Sequence, residues 1–531
     1  MATISQQSES SDNENGSNPK VSEKLQAQGG NSPRPDGKIE IHESDCYDKL
    51  GFSFPTWKKW TILSVIFAVQ SSMNFNASVY ASAIDGLTEE FTISGQAARV
   101  GQMIFLVAYG FGSELWAPWS EEFGRWPVLQ LSLFFVNIWQ ILCGLAPNFG
   151  TIVVGRFLGG ISSAGGSVTL GMVADMWEPD DQQYAVAFVV LSSVGGSVLG
   201  PIVGAFIGAN LSWQWNFWVQ LIFGGAVQAL HFCIVPETRA TILLDREAKK
   251  RRKAGESNIF GPDELKEHRI SRKELLAIWG RPFVMFVREP IVLWLSLLSG
   301  FSDALIFTFL ESFKPVFEQW GFGTVEVGLA FLPLVVGYFI AYFSFFPFIH
   351  KDRQIRRKDP DALQPEARLY WLLFTAPLET IGLFGFAWTS LGPPRVHWIA
   401  PMIFTSLIGI ANYNIYMATI DYMVASYGPY SASATGGNAL ARDFLAGIAA
   451  MYSSPMYEKI GSTYHLEWPS TILAIAAIFV TIPIYIFYWK GPAIRAKSKF
   501  AQTLASDRKA RGGHRVVTKK EEAHAHRLEE G

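Results

Sequence analysis

Apolar residues in this chain come in twelve runs, most of them about 20 residues long, six on each side of a charged segment of about 55 residues. A helix rises about 1.5 Å per residue, so a run of that length crosses the ~30 Å hydrocarbon core of a bilayer. The runs fall at roughly 60–84, 97–117, 127–146, 151–174, 185–208, 216–235, 290–312, 326–349, 370–390, 398–420, 431–453 and 469–489. Breaker residues separate them, as in Ala146-Pro147-Asn148, Glu178-Pro179-Asp180 and Gly392-Pro393-Pro394. A soluble core has no use for twelve such helices. The pattern predicts an all-α membrane protein with an N-terminal six-helix bundle (60–235) and a C-terminal one (290–490).

Composition sharpens this. Apolar residues make up 49% of the chain and charged ones 17%, and the formal charge of −2 comes from segregated rather than missing charges. Of the 44 Lys and Arg, four (Arg99, Lys314, Arg395, Lys459) would lie on one face and two (Arg156, Arg442) within spans. All the others fall on the face that carries both termini, which predicts cytoplasmic chain ends. Residues 1–59 read as a disordered cytoplasmic tail, 236–289 as a cytoplasmic central loop and 491–531 as a basic cytoplasmic tail. The run KKRRK (Lys249 to Lys253) suits either anionic lipid head groups or a solvated, topology-setting loop. The scattered Cys46, Cys143 and Cys233 form no disulfide framework or metal motif. Neither a cofactor nor a metal is expected, and nothing points to nucleic acid.

Three motifs carry most of the functional information. GSVLGPIVG in the fifth run puts Gly196, Gly200 and Gly204 on one helix face, where a second backbone can approach, and Pro201 kinks the helix. The loop after the second run, APWSEEFGRWP, offers Glu121, Gly124 and Arg125 as a charge latch. VVGRFLGG in the fourth run places Arg156 inside the bilayer, where a cation must face a polar interior.

In this order the motifs resemble the major facilitator superfamily, specifically its fungal-type twelve-span drug–proton antiporters, a group of polyamine and multidrug exporters. PETRATILL (Pro236 to Leu244), PEARL (Pro365 to Leu369) and SASATGGNALARDFLAG (Ser431 to Gly447) match as well, and the similarity spans about residues 50–500. The resemblance implies a major facilitator fold: twelve transmembrane helices in two pseudo-symmetric six-helix bundles, rocking about a midplane cavity. It also implies that Gly200 and Pro201 help to seal the bundle interface, and that Glu121 and Arg125 stabilise the outward-facing state. The chain departs from the pattern where Glu122 and Phe123 precede Gly124 and where Trp126 follows Arg125.

Ionisable residues inside spans are candidate proton-coupling groups: Asp303, Arg156, Glu379 and Glu114, with Asp303 the first choice. Asp443 follows Arg442 directly, so the two should point apart on a helix. Gln70, Asn74 and Ser78, four apart, form a polar stripe expected to face the cavity. Asn412, Tyr413, Asn414 and Tyr416 in the tenth run, with Arg442 in the eleventh, suit an amphipathic organic molecule: rings supply contact area and amides orientation. Helix-to-helix hydrogen bonding is the competing explanation for these amides. Asn210-Leu211-Ser212 forms a glycosylation sequon close to the bilayer.

The expected function is export of a small amphipathic organic compound (a drug, toxin, secondary metabolite or polyamine) in exchange for protons, by a monomer in the plasma or vacuolar membrane. Uptake of an organic nutrient by symport or facilitated diffusion is the alternative. No HExxH, nucleophile elbow, phosphate loop or Walker sequence points to an enzyme or an ATP-driven pump.

Overall fold

The computed structural model describes residues 38–178, 181–265, 272–358, 363–461 and 463–501. Most of both expected tails therefore lies outside the described residues. The chain divides into two units.

The smaller unit comprises residues 38–50 and 240–265. Residues 38–50 were expected to lack structure, and here the expectation is corrected. A two-residue strand β1 (Ile39–Glu40) pairs in parallel with β2 (Ile259–Phe260), and a 3-10 segment, Glu43–Lys49, packs on the helix Ala240–Lys253. The reason is apolar burial hidden among polar neighbours: Ile41, Cys46 and Leu50 are buried, as are Leu244 and Ala248 of that helix. The basic run is largely spoken for. Arg252 bonds Glu264 at 2.6 and 2.8 Å, Arg251 bonds Glu247, and Lys249 lies 3.6 Å from Glu264. The Arg252 guanidinium holds the Glu264 carboxyl below its ordinary range.

Among the described residues the larger unit contains twelve helices of 20 residues or more: α1 (Thr56–Phe91), α2 (Gly95–Phe123), α3 (Arg125–Gly144), α4 (Phe149–Met176), α5 (Gln182–Asn210), α6 (Trp215–Ile234), α7 (Pro290–Trp320), α8 (Thr324–Arg356), α9 (Pro365–Thr389), α10 (Ile399–Tyr427), α11 (Ser431–Lys459) and α12 (Glu467–Arg495). Each coincides with one apolar run of the sequence. Ten are long and apolar enough to span a bilayer. The other two, α2 and α11, carry Arg99, Glu114, Arg442 and Asp443 along their length, and they pack against each other. Charges are tolerated there because those faces meet protein rather than lipid.

Packing repeats between the halves. The contacts α1/α5, α1/α6, α2/α4, α3/α4 and α3/α6 recur six helices later as α7/α11, α7/α12, α8/α10, α9/α10 and α9/α12. The two seams between halves, α2/α11 and α5/α8, exchange under the same shift. This is a two-fold relation between bundles.

Charged contacts join the halves at both faces. On the face where α1 ends, Arg99 of α2 bonds Glu311 of α7 through Nε (2.9 Å) and Nη2 (2.7 Å), and Lys314 pairs with Asp85 at 2.9 Å. On the face where α1 begins, Arg353 pairs with Asp181 at 2.6 Å. There, too, Gln183 of α5 donates to Asp421 of α10 at 2.6 Å and accepts from Arg356 at 2.7 Å, while Arg368 pairs with Asp421.

Candidate functional site

The expected latch forms with different acids. Arg125 Nε bonds Asp175 at the end of α4 (3.0 Å), and its Nη1 donates to Ser120. Glu237, from the stretch after α6, accepts from the backbone N–H groups of Arg125 and Trp126, closing the N-terminus of α3 where an anion is favoured. Glu121 is exposed and makes no hydrogen bond or ion pair with any described residue, which corrects its expected role. Its helix ends with that side chain turned outward, whereas Asp175 and Glu237 approach Arg125 from the protein side.

Gly124 joins α2 to α3 at φ 102°, and a Cβ there would overlap Glu237 Oε2. Gly124→Ala is therefore expected to lower the melting temperature of the solubilised protein by several degrees and to displace Glu237. Gly150→Ala, at an exposed position of α4 with only the Asn148 side chain within reach, serves as the control.

The glycine stripe of α5 faces α1, within its own half. A Cβ at Gly196 would lie 2.6 Å from the Ser71 carbonyl, one at Gly200 would overlap Ser78 Oγ, and one at Gly204 would overlap Ser82 Oγ. The opposite side of α5 makes the seam: a Cβ at Gly328 of α8 would meet Ala205 and, at 3.1 Å, the Pro201 carbonyl. The motif thus serves two packings at once.

That same packing reorients the α1 stripe. Ser78 is fully buried against Gly200, Gln70 Nε2 donates to Ser193 of α5 at 3.4 Å, and Asn74 donates to the Gln70 carbonyl. Instead of facing a cavity alone, the stripe mainly joins α1 to α5. Asn76, which sequence reasoning missed, does more. Its Oδ1 accepts from Arg156 Nη1 (3.0 Å) and Gln140 Nε2 (3.1 Å), and its amide donates to Ser163 (3.2 Å). Arg156 is buried between the rings of Tyr80 and Phe105, 4.6 and 3.9 Å from their centroids. No carboxylate among the described residues lies within ion-pair distance of it.

The charged centre lies between the halves. Arg442 Nε stands 3.7 Å from Asp303 Oδ2 of α7, and Arg442 Nη2 stands 3.9 Å from Asp443 Oδ1. The guanidinium covers the Tyr416 ring of α10 at 4.1 Å. Asp443 and Arg442 are not turned apart as expected, because the long guanidinium arm folds back. The other half contributes α2: a Cβ at Gly110 would lie 3.4 Å from Asp443 Cβ, and Tyr109 is within electrostatic range of both acids. A Cβ at Gly166 of α4 would meet Gln70 Oε1 at 2.6 Å and the Tyr109 hydroxyl at 3.2 Å, so these polar tips converge over a side-chain-free backbone. Both ion-pair distances exceed hydrogen-bond length. Arg442 is loosely shared between two carboxylates.

The remaining candidates lie apart from this cluster. Glu114 packs where α2 crosses Gly436 of α11. Glu379 is fully buried in α9, beside the Ser302 side chain of α7. Asn412 donates to Ser302 of α7 (3.0 Å to the carbonyl, 3.1 Å to Oγ), and the buried Asn414 amide has no hydrogen-bond partner among the described residues. Asn210 is exposed at the last turn of α5. Sequence reasoning missed Tyr109, Asn76, Gln140 and Gly166; single polar or small residues in apolar runs carry little signal.

Comparison with known proteins decides the family. Residues 66–451 match the family model for the Major Facilitator Superfamily. This chain belongs to the major facilitator superfamily. Among its relatives are the transporter paaT of Penicillium rubens (31% identical over 449 residues, 83% of this chain and 80% of that one). The MFS-type transporter kojT of Aspergillus oryzae is 32% identical, covering 83% and 79%. The efflux pump atB of Aspergillus terreus is 33% identical over 402 residues, covering 74% and 83%. The structure of the proton:xylose symporter XylE bound to 6-bromo-6-deoxy-D-glucose superimposes with a TM-score of 0.56 at 17% identity, covering 82% of this chain and 96% of that one. That likeness establishes the fold. The two six-helix bundles are those of a major facilitator, and the chain is a multi-pass membrane transporter with relatives among fungal efflux and secondary-metabolite carriers.

Proposed function

We propose that this transporter exports a small amphipathic organic compound in exchange for protons, by alternating access, with both termini in the cytoplasm of a plasma-membrane protein acting as a monomer. The observation that carries the reading is Arg442 held loosely between Asp303 and Asp443 where the bundles meet. A carboxylate that can exchange its guanidinium partner for a proton couples that proton to the cavity's contents. The Tyr416 and Tyr109 rings beside it suit an amphipathic guest. Export is favoured over uptake by the glycine–proline motif of α5 and by the relative named an efflux pump. The paired charges on both faces are what alternating access would break in turn.

The test is accumulation of fluorescent amphiphiles in cells with and without the protein at two external pH values. Export predicts less accumulation with the protein, and least at the lower external pH. Asp303→Asn is expected to remove the pH dependence while the protein still reaches the membrane. Greater accumulation with the protein would overturn export, and an unchanged pH response would remove Asp303 from coupling.

A further inference from the structure

A cleft of about 320 Å³ opens in the C-terminal half at the face where α1 begins, away from the Asp303–Arg442 cluster. Its walls are the last turns of α8, the start of α9, and the ends of α10 and α12. Aromatic rings line it, with Phe348 and Trp371 stacked on each other at 4.5 Å between centroids and 24° between planes, and Phe345 and Tyr488 also in the lining. Lys351 and Asp352 also line it, and its remaining polar groups are Gln183, Asp421 and Arg368. These polar groups belong to the bridge between halves: Gln183 comes from α5 of the N-terminal half and donates to Asp421 Oδ2 at 2.6 Å.

We infer that this cleft is a second binding site, for a flat ring system carrying an N–H or O–H head group, and that filling it loosens the bridge between α5 and α10. The volume lies at the lower end of the range for small-molecule pockets, and an apolar body facing a few fixed polar groups is their usual construction. The plate would stack on Trp371 and the head would reach Asp421, an oxygen that Gln183 already uses. An oxygen shared between head group and Gln183 binds α5 less firmly, which favours opening at this face. The cleft thus acts as a loading site, an inference that rests on reading the chain as a carrier of amphipathic molecules.

The probe is dansylamide, a naphthalene plate with a sulfonamide N–H head, titrated by fluorescence against the full chain in nanodiscs. Saturable binding is expected. Ala367→Trp, which fills the cleft, and Trp371→Ala, which removes the stacking wall, should each raise Kd at least tenfold. Two independent variants, each checked by size exclusion, keep the test valid if one misfolds. Phe134→Ala, at an exposed position of α3 in the N-terminal half, should leave Kd within twofold. Amide hydrogen exchange across residues 182–186 should accelerate at least threefold with the probe. No saturable binding, or an unchanged Kd in both cleft variants, would overturn the site. Unchanged exchange would overturn its link to the bridge. The titration needs no proton gradient, so intact binding without export would sink the proposed function and leave the cleft standing.

Discussion

Arg442→Gln is expected to reduce proton-driven transport in proteoliposomes by more than a hundredfold, the largest effect of any single change. It leaves Asp303 and Asp443 beside Tyr109 and Tyr416 without their shared cation, in a site where all three charged groups are largely buried. Removing one partner from a buried ionic cluster costs about 3–5 kcal/mol, because the charges left behind have neither water nor a counter-ion. Part of that cost should appear as a lower melting temperature. Adding Asp303→Asn should recover thermal stability, since it removes one stranded carboxylate, without recovering transport. A protein that stays stable yet inactive separates a functional role from a packing one. Retention of more than a tenth of wild-type transport by Arg442→Gln would exclude the cluster from coupling.

The next largest effect is expected from Gly200→Val. The first added carbon would overlap Ser78 Oγ and lie 2.7 Å from the backbone nitrogen of Val79. A hydroxyl can rotate away, but a helix backbone cannot, so α1 and α5 must separate. Overpacking of a close helix contact costs about 1–3 kcal/mol where side chains alone adjust, and more where backbones must move. The variant should give less than a tenth of the monodisperse protein and no measurable transport. Gly195→Val is the control, because a Cβ at Gly195, on the other side of α5, would have nothing within 4 Å among the described residues. Ser78→Gly should rescue Gly200→Val only in part, since the Val79 nitrogen remains. Equal yields of monodisperse protein from Gly200→Val and Gly195→Val would show that the close approach of α1 and α5 is dispensable.

Particular residues show how far the sequence could be read. Arg156, Asp303 and Arg442 stand out because a charge inside an apolar run has few structural uses. Gly124 and the α5 glycines stand out because their spacing reports close backbone approach. Glu121 misled, since an acid three residues before a glycine has the right spacing but turns into solvent, while Asp175 and Glu237 lie about 50 and 112 positions along the chain from Arg125. The stripe of Gln70, Asn74 and Ser78 has helical spacing, and spacing alone cannot tell a cavity from a neighbouring helix. Residues 38–50 were misread because three apolar side chains among polar ones give too weak a pattern to show burial.

Twelve crossings, two halves and the positions where charge enters the membrane follow from the order of residues alone. Hydrocarbon forces each span to satisfy its own backbone hydrogen bonds, so length and polarity settle those features locally. The pairing of Arg442 with two acids, the acids that hold Arg125 and the node around Asn76 were settled only by tertiary packing. Each joins side chains from separate helices, and which face of one helix meets another depends on small residues such as Gly110, Gly166 and Gly200. Their influence appears only when the helices are brought together.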